Sequence, residues 1–200
     1  MLDAIRRRRV TRSFTAEPVS ADVLREILRA ARCASSAGNR RIHRFLVIRD
    51  AATVKRLKPF APGMLGWPPA LIVVSTDLEQ ARKANVQFER DMNSWIDVGT
   101  ALMSMMLAAQ ALGLGSCPAT SFSQAAVARL LDFPPTLLPE LILQLGHPLG
   151  QPSRSPRRAS ALRLEDLTDW ERLGQREPEP DATASSTRAE ASESTIQSTR

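Results

Sequence analysis

The sequence predicts one domain of mixed helix and strand over about residues 1–173, followed by a tail at 174–200. Three observations predict it. The runs 44–48 and 70–75 are short, apolar and rich in β-branched residues, as strands are. Around them lie longer segments whose apolar residues recur at helical spacing or fill every position. Beyond Gly174 only Ile196 is a large aliphatic residue, so that stretch cannot bury enough apolar surface to offset its ordering entropy.

Each element has a local reason. In 20–34, Ser20 suits an N-cap, Asp22 the first turn, and Val23, Leu24, Ile27, Leu28 and Ala31 form one stripe. The loop Ser35-Ser36-Ala37-Gly38-Asn39 then supplies hydroxyls, an amide and tolerance for positive φ. Asp50 closes the first strand as a cap for helix 51–57, and the prolines and glycines of 59–69 mark an irregular connection. Residues 70–75 are apolar without alternation, which predicts a strand covered on both faces. The segment 78–92 reads as an amphipathic helix. Residues 96–112 read as a helix apolar nearly all round, with Gly113 at its C-cap. Residues 115–120 fit a strand or a loop, 123–132 a short helix, 141–145 a strand, and 164–173 a closing helix.

Composition removes other classes. Cys33 and Cys117 are the only cysteines and His43 and His147 the only histidines, which excludes a disulfide scaffold and structural zinc spacing. The apolar stretch 96–112 is interrupted by Asp97 and Gln110 and falls short of the ~20 residues that span a bilayer. The opening Met1-Leu2-Asp3-Ala4-Ile5-Arg6 lacks the apolar stretch of a secretory signal, so the expectation is a soluble, cytoplasmic protein without a membrane partner. The net charge of +6 is uneven: residues 1–58 carry 15 basic and 5 acidic side chains, and the rest is mildly acidic. Such a patch fits a solvated arm, a nucleic-acid arm or a phosphate site. With no tyrosine and only 4% aromatic residues, base stacking is disfavoured, and no nucleic-acid partner is expected.

The candidate site segments are Arg6-Arg7-Arg8-Arg9-Val10-Thr11-Arg12, the loop 35–40, Asp97-Val98-Gly99-Thr100, and Gly113-Leu114-Gly115-Ser116-Cys117-Pro118. Taken singly, the last three read as turn and capping chemistry. Gly113-Leu114-Gly115 is too short for a dinucleotide fingerprint, and no phosphate-binding Gly-x-x-x-x-Gly-Lys loop occurs.

In order, these pieces resemble the FMN-dependent nitroreductase family. The residues carrying the resemblance are Arg8-Arg9-Val10-Thr11-Arg12-Ser13-Phe14, Glu17-Pro18-Val19, Ala34-Ser35-Ser36-Ala37-Gly38-Asn39-Arg40, Asp97-Val98-Gly99-Thr100-Ala101, Ala111-Leu112-Gly113-Leu114-Gly115 and Leu145-Gly146-His147-Pro148. The likeness covers about residues 3–173. The chain departs from the family at Val10, where a small polar residue is usual, and at Arg41-Ile42-His43, where the family has Gln-Pro-Trp.

The resemblance implies an α+β fold, a three-layer sandwich whose mixed, mostly antiparallel sheet is flanked by helices. It implies a homodimer with flavin at the interface. It also implies ping-pong chemistry, in which NAD(P)H reduces FMN and a nitroaromatic, quinone or similar acceptor is then reduced. By position, Arg8, Arg9, Val10 and Arg12 match flavin-binding residues. Ser35, Ser36, Ala37 and Asn39 match a loop that reaches FMN across the interface, and Pro118, Ala119, Thr120 and Ser121 a segment whose backbone faces the flavin. Arg157 or Arg158 matches a C-terminal phosphate-binding arginine. No catalytic side chain and no metal are expected. The alternative is a non-catalytic flavin-binding or interaction protein of the same fold, motivated by Arg41-Ile42-His43.

Overall fold

The structure, a computed structural model, describes residues 2–86, 93–150 and 163–176. The chain divides into two units, residues 1–153 and 154–200.

The first unit is built on four strands, β1 (His43–Ile48), β2 (Ala70–Asp77), β3 (Gly115–Ala119) and β4 (Leu137–Gly146). Their order is β1-β2-β4-β3, and every ladder is antiparallel. A parallel pairing enters only through the single bridge Val10–Ser116. The helices are α1 (Leu2–Arg7), α2 (Ala21–Arg32), α3 (Ala51–Leu57), α4 (Leu78–Lys83), α5 (Asn93–Ala111) and α6 (Gln124–Leu130).

The unbroken apolar run of β2 produces the three layers. Ala70, Ile72 and Val74 pack with Leu24, Ile27 and Ala31 of α2 and with Ala101, Met105 and Ala109 of α5. The intervening Leu71 and Val73 point to the opposite face, against Val54 and Leu57 of α3 and Val127 of α6. Successive strand residues face opposite sides, so a strand buried on both faces has no polar positions to alternate with. The α+β sandwich expected from the sequence is present.

Caps set the boundaries. Ser20 Oγ accepts from the Val23 N–H, the Asp50 carboxylate from the Ala52 and Thr53 N–H groups, Asp77 from Gln80, and Ser123 from Ala126. Three expectations change. The helix expected over 78–92 ends at Lys83, because Asn85 turns left-handed (φ 54°) and the Val86 N–H closes back on the Ala81 carbonyl. Residues 87–92 lie outside the described residues. The closing helix expected over 164–173 is only a 3-10 turn, Leu164–Asp166, capped by Asp166 accepting from the Arg163 N–H. Its leucines are exposed, so no packed face supports further helical turns. Finally, residues 2–7 form α1, where the sequence reading saw only a basic arm.

The ordered domain expected over 1–173 and the tail at 174–200 are not separated by the described residues, which stop at 150 and resume for 163–176.

Candidate functional site

The site begins where α1 ends. Asp3 in the first turn pairs with Arg7 at i+4, and Arg6 and Arg7 occupy the last turn, the charge order that a helix dipole favours. That pattern was available in the sequence, hidden by reading the arginines as one run. The Arg8 N–H continues the helix by donating to the Ala4 carbonyl. Arg9 turns its Nη1 back onto the carbonyls of Arg6 (2.7 Å) and Arg8 (3.0 Å), so it caps the helix end. Arg8 differs. Its Nη1 is buried and has no hydrogen-bond partner. A guanidinium nitrogen withdrawn from water without an acceptor is costly, and an oxyanion would remove that cost.

After Arg9 the chain runs alongside β3. Val10 bridges Ser116, the Thr11 N–H donates to the Ser116 carbonyl (2.9 Å), and Gly115 admits the Thr11 side chain where a Cβ would lie 2.5 Å from its Oγ1. Further on, the Thr15 N–H donates to the His147 carbonyl and Phe14 bridges Pro148. Arg12 is exposed, yet its charge reaches Cys117. Burial pushes the Cys117 thiol up, and the Arg12 guanidinium pulls it down. The thiol is 4% exposed and is therefore a core residue rather than a nucleophile.

Pro118, Ala119, Thr120 and Ser121 continue from this strand. Ala119 is buried, Pro118 half-buried, and Thr120 and Ser121 exposed. Two contacts missing from the sequence reading tie the irregular segment 61–69 to these residues and to Arg12. The Gly63 N–H donates to the Ser121 carbonyl (2.9 Å), and Gly66 lies against the Arg12 backbone. Lys58 holds this segment, with Nζ donating to the carbonyls of Met64 (2.8 Å) and Gly66 (2.6 Å) and standing 4.5 Å from the Trp67 ring centroid. Burial lowers the Lys58 pKa. No signal beyond the glycines themselves announced this packing.

The Ser35–Asn39 loop sits elsewhere. It leads into β1, the edge strand opposite β3, three strand spacings or about 14 Å across the sheet. Within one chain, therefore, the sheet separates this loop from the segment that carries Arg8–Arg12 and Pro118–Ser121. The loop is tied instead to α5: the Ala37 N–H donates to both carboxylate oxygens of Asp97 (3.0 and 3.2 Å), and Thr100 Oγ1 donates to the Ser35 carbonyl (2.8 Å). Ser35 and Asn39 are exposed, while Ser36 and Ala37 are half-buried. A cleft of about 180 Å³ opens here, lined by Ala31, Ser35, Ser36, Arg41, His43 and Asp97 among others. His43 takes the place of the family's bulky indole. Burial lowers its pKa against the opposing pull of Asp97, and neither ring nitrogen has a hydrogen-bond partner. Arg157 and Arg158 lie outside the described residues.

Among the described residues no group of His, Cys, Asp or Glu side chains could hold a metal ion, and no helix is long and apolar enough to cross a membrane. A basic turn lies beside an edge strand, backed by a glycine-bearing segment, an arrangement whose charge and open backbone suit an anionic group.

The chain matches the nitroreductase family over residues 5–65 and 61–147. It is 27% identical over 164 residues to the NAD(P)H FMN reductase of Bacillus subtilis (strain 168), spanning 74% of this chain and 66% of that one. It is 29% identical over 178 residues to the NADH dehydrogenase of Thermus thermophilus, spanning 74% and 87%. Among solved structures, a nitroreductase family protein from Clostridium difficile 630 superposes with a TM-score of 0.72 at 25% identity, covering 86% of this chain and 99% of that chain. The chain belongs to the nitroreductase family, and with it to the oxidoreductases.

Proposed function

We propose that this protein is an FMN-dependent oxidoreductase that takes reducing equivalents from NAD(P)H and passes them by a ping-pong course to a nitroaromatic, quinone or similar acceptor. The single observation that carries the reading on the side of the chain's own residues is the buried, unpartnered Nη1 of Arg8. A flavin phosphate would supply the acceptor this nitrogen lacks, and the sequence resemblance makes Arg8 a flavin-binding residue. When bound, FMN supplies the two-electron hydride chemistry between nicotinamide and acceptor.

The residues present fit that group. Arg8 would hold the phosphate, and Arg12, exposed beside β3, would add positive charge where the reduced flavin is anionic. Arg9 would act mainly through the helix end it caps. The backbone of 118–121, fastened to Gly63, would flank the isoalloxazine. The test is an absorbance spectrum of the purified protein, followed by anaerobic addition of NADH or NADPH. The expected result is a visible flavin band that bleaches. Bound flavin that neither nicotinamide bleaches would favour the non-catalytic reading, and a colourless protein that takes up no FMN would sink both.

The proposal includes a homodimer. On α5, Trp95, Ile96 and Met103 remain exposed, as does Leu112 just past its end, and no acidic or basic residue lies in the last turn. A helix without a polar face is an interface as readily as a core element. The separation of the Ser35–Asn39 loop from the Arg8 segment supports the same reading, since that loop would serve the flavin held by a second copy. Light scattering at micromolar concentration is expected to give twice the chain mass, and a monomeric mass would overturn the dimer.

A further inference from the structure

The loop Ser35–Asn39 and the residues after it carry an unusual backbone. Gly38 (φ 59°), Asn39 (φ 52°) and Arg41 (φ 49°) all lie in the left-handed region, which glycine and asparagine tolerate and the arginine side chain disfavours. Within the loop the Asn39 N–H donates to the Ser36 carbonyl, the Arg40 N–H to the Ala37 carbonyl and Arg41 Nε to Asn39 Oδ1 (2.9 Å). Such a shape persists only where its surroundings impose it.

Those surroundings are the first turns of α5. Asp97 is not a cap, because it lies inside the helix as its fifth residue. It is only 5% exposed, and a carboxylate so buried needs donors. Its donor among the described residues is the Ala37 N–H, sixty residues away in sequence, shared by both oxygens. One turn on, Thr100 Oγ1 lies 2.8 Å from the Ser35 carbonyl and 2.9 Å from the Asp97 carbonyl, so its one proton joins helix and loop. Two other roles for Asp97 fail on the geometry. A metal would need further ligands, and the described residues hold no such group. A proton relay through His43 would need a hydrogen bond between its imidazole and the Asp97 carboxylate, and the Asp97 oxygens accept from the Ala37 N–H instead.

We propose that Asp97, seconded by Thr100, is the positioning residue that fixes the backbone of the Ser35–Asn39 loop for flavin binding. It acts through the Ala37 N–H and does not touch the flavin. The inference rests on the reading of that loop as a flavin-contacting segment, so its test separates the two.

The variants are Asp97→Ala, Asp97→Asn and Thr100→Val, and the readouts are FMN affinity by fluorescence quenching and exchange of the Ala37 amide hydrogen. Asp97→Ala removes the acceptor and is expected to weaken FMN binding about 10-fold or more and to speed Ala37 exchange by a similar factor. Asp97→Asn keeps one carbonyl oxygen for the same N–H and is expected to restore affinity to within about 3-fold of wild type. A residue serving only the core would show no such rescue. Should Asp97→Ala fail to fold, the partly exposed Thr100→Val takes its place, with an expected weakening of about 3-fold. Wild-type FMN affinity in Asp97→Ala, or equal loss in the alanine and asparagine variants, would overturn the proposal. If the wild-type protein takes up no FMN, the flavin reading fails and the flavin half of this proposal fails with it. Ala37 exchange then still decides whether Asp97 holds the loop.

Discussion

Arg8→Ala weakens FMN binding roughly 10- to 100-fold, the range expected when a charged hydrogen bond to a phosphate is lost. The same change leaves thermal stability nearly untouched. Arg8 Nη1 has no partner among the described residues, so truncation removes a buried nitrogen without breaking a hydrogen bond that the fold uses. The contrast with Arg9 sharpens the result. Arg9→Ala removes two bonds to the carbonyls that end α1, so its main effect falls on that helix and only secondarily on the flavin. Fluorescence titration of both variants, with melting curves in parallel, checks the assignment. Equal flavin affinity in wild type and Arg8→Ala would remove Arg8 from the site.

Gly66→Ala destabilises the protein by about 1–3 kcal/mol or more, the range for forcing extra volume into a packed position. A Cβ there would lie 2.3 Å from the Arg12 carbonyl oxygen and 3.3 Å from the Phe14 ring. The obstacle is backbone, so a side-chain rotation cannot relieve it. Either the segment around Gly66, held by Lys58 through the Met64 and Gly66 carbonyls, moves away, or the segment carrying Arg12 moves. Both displace residues proposed to flank the flavin, so FMN affinity falls together with stability. Urea denaturation of the flavin-free protein, paired with an FMN titration, measures the two effects. A variant as stable as wild type would show that this approach is looser than the geometry states.

Most of the fold was legible in the sequence because its signals are local. Helix caps at Ser20, Asp50 and Ser123 mark helix starts within one turn, and the non-alternating run 70–75 specifies a strand covered on both faces. The failures were local too. The 78–92 pattern continues past Lys83, but Asn85 adopts a left-handed conformation that periodicity does not report. Residues 164–173 have helical spacing, but their apolar side chains meet no surface among the described residues that would stabilise a helix. α1 was missed because its stabilising charge order lies inside an arginine run.

The sequence by itself determined the layered α+β architecture, the family and the identities of the basic residues, because strand period, capping chemistry and motif order are properties of near neighbours. Only the tertiary structure decided that Arg8 buries a nitrogen without a partner, and that Gly63 and Gly66 close on Ser121 and Arg12. It alone turned Asp97 from a supposed helix opener into the anchor of a loop sixty residues away. Those facts depend on which groups are withdrawn from water together. Desolvation and close approach are set by the packing of distant segments, and no window of the sequence contains both sides of the contact.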